Sequence, residues 1–136
     1  MKQILKLFLL VSIFASLLCG CVYQRGIILF NKQPITKENA LCDDINFTKG
    51  ERVYYLFIAP KRMDCDYIRI QVFKMTDKAS TGGYEVVRTK DVRLMKEERY
   101  YYTDYFTFYE GGRYVMQVFS MNDMQHPLSL DFFYIK

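Results

Sequence analysis

"FYEGGRYVMQV", residues 108–118, is the stretch that decides the fold. Two glycines follow Glu110 and mark a tight turn. Behind the turn, Tyr114, Met116 and Val118 recur at every second position, which puts all three on one face of a strand. Phe108 closes the arm before the turn, so an aromatic residue stands on each side of it. The segment reads as strand, corner, strand.

The same period governs the chain on both sides. Strand-like runs occupy residues 41–48, 52–59, 67–75, 84–94, 99–108, 113–121 and 128–135. "YIRIQVFK" sets Ile68, Ile70 and Val72 against Arg69 and Gln71, and "LSLDFFYI" alternates Leu128, Leu130, Phe132 and Tyr134. The separators "TKGE", "APKRMDCD", "TDKASTGG", "YEGG" and "NDMQHP" are rich in turn residues. "DVRLMKEERYY" comes nearest to a helical period and is expected to cover a sheet edge. Aromatics make up 17% of the chain through 12 Tyr and 11 Phe, a composition that favours strands. Seven short strands in about 100 residues predict an all-β, antiparallel sandwich.

The 108–118 stretch resembles the tyrosine corner of immunoglobulin-like and fibronectin type III domains. That resemblance implies that the Tyr114 hydroxyl bonds backbone upstream while Met116 and Val118 enter the core. The departure is Glu110, which stands where such corners carry proline. An immunoglobulin-like β-sandwich of about seven strands over residues 41–136 is the expected domain.

The chain opens with Lys2 and Lys6 and an apolar stretch at residues 7–18, the form of a secretory leader. Leu18-Cys19-Gly20-Cys21 then resembles the lipobox of bacterial lipoproteins, although Cys19 departs from the usual small or aliphatic residue. The resemblance implies a signal peptide over 1–20 and a mature protein that starts at Cys21. It implies palmitate-type acyl chains on that cysteine, each buried methylene contributing about 0.8 kcal/mol to anchoring. Val22, in place of Asp, implies export to the outer membrane, facing the periplasm. An uncleaved anchor helix over residues 7–23 is the competing reading. Residues 21–40 are a tether or, through "GIILF", a first strand.

With Cys19 removed and Cys21 lipidated, Cys42 and Cys65 form an even pair in an oxidising compartment, and a disulfide between them is expected. The pairing supposes that "NFTKGERVYY" is a hairpin turning at Lys49-Gly50, which would bring both cysteines to one end. Such a bridge is worth roughly 3 kcal/mol. It would also gather Asp43, Asp44, Asp64 and Asp66, a candidate calcium cluster without a dedicated loop spacing.

Catalysis needs a positioned base, nucleophile or metal, and none of the usual motifs is present. His126, the single histidine, precedes Pro127 in a turn. Met121, Met124 and His126 make a candidate Cu(I) loop, with ordinary core and loop packing as the plainer alternative. Asn46-Phe47-Thr48 matches a glycosylation sequon, a chance match in a bacterial lipoprotein. Without Lys2 and Lys6 the chain carries 17 basic and 15 acidic residues, too mild an excess for nucleic-acid binding.

"ERYYYTDYFTFYE" places Tyr101, Tyr105 and Tyr109 on one strand face and Tyr100, Tyr102, Phe106 and Phe108 on the other. The second row leads into the corner and is expected in the core. The first is then an exposed row suited to protein contact, unless Lys96, Arg99 or a loop covers it. The function expected is a lipid-anchored, non-enzymatic interaction module of the cell envelope, with no cofactor. Its partners are the membrane, through Cys21, and an envelope protein. A periplasmic ligand- or metal-binding lipoprotein is the alternative.

Overall fold

Ile68, Ile70 and Val72 are buried, and Arg69 and Gln71 stand on the opposite face, as the alternation of "YIRIQVFK" requires. The computed structural model describes residues 25–77 and 82–136, so the expected leader and Cys21 lie outside the described residues. Within them the strands are β1 (Ile27–Asn31), β2 (Asn46–Phe47), β3 (Arg52–Ile58), β4 (Tyr67–Met75), β5 (Tyr84–Arg93), β6 (Tyr101–Thr107), β7 (Gly112–Ser120) and β8 (Ser129–Ile135).

They form two sheets. One has the order β1-β3-β6 and the other the order β2-β8-β7-β4-β5. All pairings are antiparallel except that of the short β2 with β8. Val53, Tyr55 and Phe57 of β3 point inward against Ile68, Ile70 and Val72 of β4 and Met116 and Val118 of β7. Phe133 sits at the centre of an aromatic cluster, with ring centroids 5.0 Å from Phe30, 5.4 Å from Phe108 and 5.4 Å from Tyr114. Each such ring removes roughly 150–250 Å² from water, which makes this cluster a large apolar contribution to stability.

The corner between β6 and β7 forms as its residues imply. Tyr114 is 2% exposed, and its hydroxyl donates to the Glu110 carbonyl at 2.7 Å. Gly112 has φ +142, and a side chain there would press on Lys74 at 3.1 Å. The Glu110 carboxylate pairs with Lys74 Nζ at 2.6 Å, so the residue in the proline position ties the corner to β4 instead of stiffening its own backbone. The chain is thus an all-β sandwich with an immunoglobulin-like tyrosine corner.

Two expectations fail at the start of the domain. Residues 41–48 yield only the two-residue β2, which pairs with β8 in the opposite sheet, and Gly50 turns the chain between sheets rather than within a hairpin. The place beside β3 belongs to β1, whose Ile28 and Phe30 are buried in the core. Antiparallel pairing sets Asn31 opposite Tyr54, near the start of β3. Asn31 Nδ2 donates to the Cys42 carbonyl at 2.8 Å, which holds Cys42 at that end. Cys65 follows the far end of β3. The disulfide is therefore absent; Cys42 is an exposed thiol and Cys65 a buried one.

Candidate interaction surface

β3 reads Arg-Val-Tyr-Tyr-Leu-Phe-Ile, six apolar or aromatic residues without a polar break. Because side chains alternate, such a run makes both faces of the strand apolar. Val53, Tyr55 and Phe57 take the core side and leave Tyr54, Leu56 and Ile58 on the outer face. Register extends that face across the sheet in three rows: Ile27–Ile58–Tyr101, Leu29–Leu56–Thr103 and Asn31–Tyr54–Tyr105.

At one end of this face three side chains interlock. The Tyr54 and Tyr105 rings lie 5.4 Å apart. The Arg52 guanidinium stands 4.8 Å over Tyr105, and its Nη1 donates to the Tyr54 hydroxyl at 3.3 Å. Tyr105 nevertheless remains 43% exposed. Arginine and tyrosine held in fixed rotamers offer large contact area at small entropic cost.

Toward the other end, the segment 35–40 folds back over the sheet. Asn39 shapes it by accepting from Thr36 N at 2.7 Å and donating to the Pro34 carbonyl at 2.9 Å. Ile35, Ala40 and Leu56 line a groove of about 450 Å³ between this segment and the sheet. Ile58, Tyr100 and Tyr101 line it as well.

The structure thus splits the expected tyrosine row. Tyr101 lines the groove, Tyr105 belongs to the Arg52–Tyr54 cluster, and Tyr109 lies past the end of β6 beside Gly50. Arg99 does not cover the row, because its Nη2 donates to Asp66 at 2.8 Å and its Nη1 to the Cys65 carbonyl. Tyr102 and Phe108 enter the core, with Phe106 packed against it, but Tyr100 precedes the start of β6 and stays exposed on the groove instead of entering the core. Arg52, Tyr54, Ile27 and Ile58 were missing from the sequence-based site. The unbroken apolar run in β3 is the signal that could have found them.

The five-stranded sheet has an apolar outer face of its own. Pairing aligns Phe132, Val115, Phe73 and Val86 in one row across four strands. A shift of register between Val72 and Phe73 brings Val86 into line. Leu130 and Tyr84 flank the row around a depression of about 330 Å³, and the Arg113 guanidinium covers Phe132 at 4.5 Å.

The candidate metal ligands take other roles. The Asp43 carboxylate accepts from Phe30 N at 2.8 Å, and Asp66 pairs with Arg99, which holds its carboxyl below the usual range. Asp43, Asp44, Asp64 and Asp66 are not brought together, and among the described residues no group of three or more His, Cys, Asp or Glu could hold a metal ion. Met121, Met124 and His126 stand in the exposed turn between β7 and β8. There His126 Nδ1 lies 3.0 Å from the Asp123 carboxylate, which keeps that carboxyl below its ordinary pKa.

No protein-family model matches the chain, and no curated protein is similar to it in sequence. Solved structures resemble it in shape. An immunoglobulin-like protein from Pseudomonas aeruginosa aligns over 85% of this chain and 99% of its own at 11% identity, with a TM-score of 0.46. The soluble domain of PmoD from Methylocystis sp. aligns over 82% and 90% at 10% identity, with a TM-score of 0.47. A β-glucosidase from Listeria innocua shares 12% identity over 83% of this chain but only 16% of its own, with a TM-score of 0.44. Likeness of this degree carries no information about activity.

Proposed function

We propose that this chain is a lipid-anchored, non-enzymatic interaction module of the bacterial envelope, tethered through Cys21 to the outer membrane and facing the periplasm. On this reading it captures an envelope protein with the outer face of the three-stranded sheet. The carrying observation is the Arg52–Tyr54–Tyr105 cluster, preordered by ring contact and a hydrogen bond while still open to solvent. Tyrosine and arginine are the residue types that dominate binding at protein interfaces. Tyr109, 72% exposed beside the cluster's end of the sheet, extends the contact.

The test is a photo-crosslinking residue placed at position 105 of the full-length chain in the bacterium that encodes it. The expected result is a discrete, light-dependent protein adduct that disappears with Arg52→Ala. Adducts from position 86 on the opposite sheet, with none from 105, would assign the contact to the other face and overturn the reading.

A further inference from the structure

We infer that the sandwich end nearest the anchor lies against the lipid surface, with Ile58, Tyr101 and the groove beside them entering its interfacial zone. This contact rests on the lipid anchor proposed above. Strand directions place one set of connections at that end: residues 59–66, 94–100 and 121–128, together with Arg25 and Gly26. Gly26 fixes the chain there. Its N–H donates to the Leu128 carbonyl at 2.8 Å, and its own carbonyl accepts from Ser129 Oγ at 2.7 Å. It is clamped so closely between β3 and β8 that a Cβ would stand 2.6 Å from the Ile58 carbonyl oxygen.

Between Cys21 and Arg25 lie four peptide steps. Fully extended, each step spans at most about 3.6 Å, so the clamped end stays within roughly 15 Å of the lipidated residue. The opposite end lies a strand length away, about 30 Å for the nine residues of β4, beyond what those four steps reach.

The surface at this end suits a lipid interface. Ile27 is 55% exposed, Met95 69% and Tyr100 56%. Ile58 and Tyr101 continue the patch into the groove, where Lys37 stands at the rim. Lys61, Arg62 and Lys96 are exposed in the connections at this end, together with the acidic Asp64 and Glu97. Aromatic rings settle at the headgroup level, while lysine stems lie along apolar surface and carry their charge to water. The opposite end, with Tyr105 and Tyr109, then points away from the membrane and stays free for a protein partner.

The experiment uses the full-length, lipidated protein in vesicles of phosphatidylethanolamine and phosphatidylglycerol containing a headgroup-proximal spin-labelled lipid. Fluorophores are attached at Ile58→Cys, Met95→Cys or Tyr109→Cys in a Cys42→Ser background. Met95→Cys guards against a folding defect, since that side chain makes little packing contact. The expected result is quenching severalfold stronger at 58 and 95 than at 109. Equal, weak quenching at all three sites in vesicle-bound protein would overturn the contact and leave the anchor standing. Protein that never partitions with vesicles would remove the anchor and the contact together. Shielding of 58 only after an envelope extract is added would assign this end to a protein instead.

Discussion

The Tyr114 hydroxyl donates to the Glu110 carbonyl across the β6–β7 corner at 2.7 Å, while its ring packs 4.7 Å from Phe108. Hydrogen bond and ring contact are separable. Tyr114→Phe keeps the ring and should cost about 1 kcal/mol, the usual net value of one hydrogen bond. Tyr114→Ala also opens a cavity and should cost about 3–5 kcal/mol. Urea unfolding should show both as shifts of midpoint at unchanged slope. Equal losses in the two variants would mean that the bond, and not the ring, holds the corner.

The two cysteines should differ sharply in reactivity. Cys42 is exposed in the loop held by Asn31, whereas Cys65 is 1% exposed in the core. A thiol reagent should modify Cys42 in the native protein and reach Cys65 only on unfolding. Mass spectrometry of the labelled, intact domain reads the outcome. Failure of Cys42 to react without prior reduction would contradict the free thiols.

Why the disulfide was expected, and why it does not form, shows what a sequence carries. Period-two alternation placed Ile68, Ile70, Val72, Met116 and Val118 correctly, because an inward side chain is fixed by local geometry and burial alone. Tyr114 was legible for the same reason, with the added turn signal of Gly111 and Gly112. Strand partners were not legible. Nothing in "NFTKGERVYY" distinguishes a hairpin from a crossing between sheets, and the choice is made by distant strands, β1 pairing with β3 and β8 with β2. The tyrosine row shows the same limit. Alternation gave Tyr101 and Tyr105 a common face, but only the register with β3 brings Arg52 and Tyr54 to Tyr105.

Tyr55 carries a cost that one substitution should relieve. It is fully buried, its ring is stacked on Phe106 at 5.5 Å, and its hydroxyl has no hydrogen-bond partner among the described residues. Burial, reinforced by Asp104 and Tyr102, pushes the phenol far above its ordinary pKa. Tyr55→Phe retains the stacked ring and removes the unpaired hydroxyl, whose desolvation costs about 1–3 kcal/mol. The variant should melt at a higher temperature than the wild type. A lower melting temperature would show that the hydroxyl has found a partner.

Asp131 should make stability depend on pH in the direction opposite to most carboxylates. Its side chain lies half-buried on β8. Burial first, and the nearby Asp43 carboxylate as well, raise its pKa, against a lowering contribution from the Phe132 N–H that it accepts at 2.8 Å. Below the unfolded value of about 3.9 both states are protonated, so the group costs nothing. As pH rises, the unfolded chain ionises first and the native state falls behind, until the pH passes the folded value. Above it the penalty is constant. Asp131→Asn keeps an acceptor for Phe132 N–H and removes the charge. It should therefore raise the melting temperature at neutral pH, with the gain shrinking toward zero in acid. Glu110, Asp66 and Asp91 have lowered pKa values and lose their contributions on acidification. They do so equally in both proteins and cancel from the difference. Thermal melts of the pair across acid to neutral pH read the effect, and a difference independent of pH would sink the assignment to the charge.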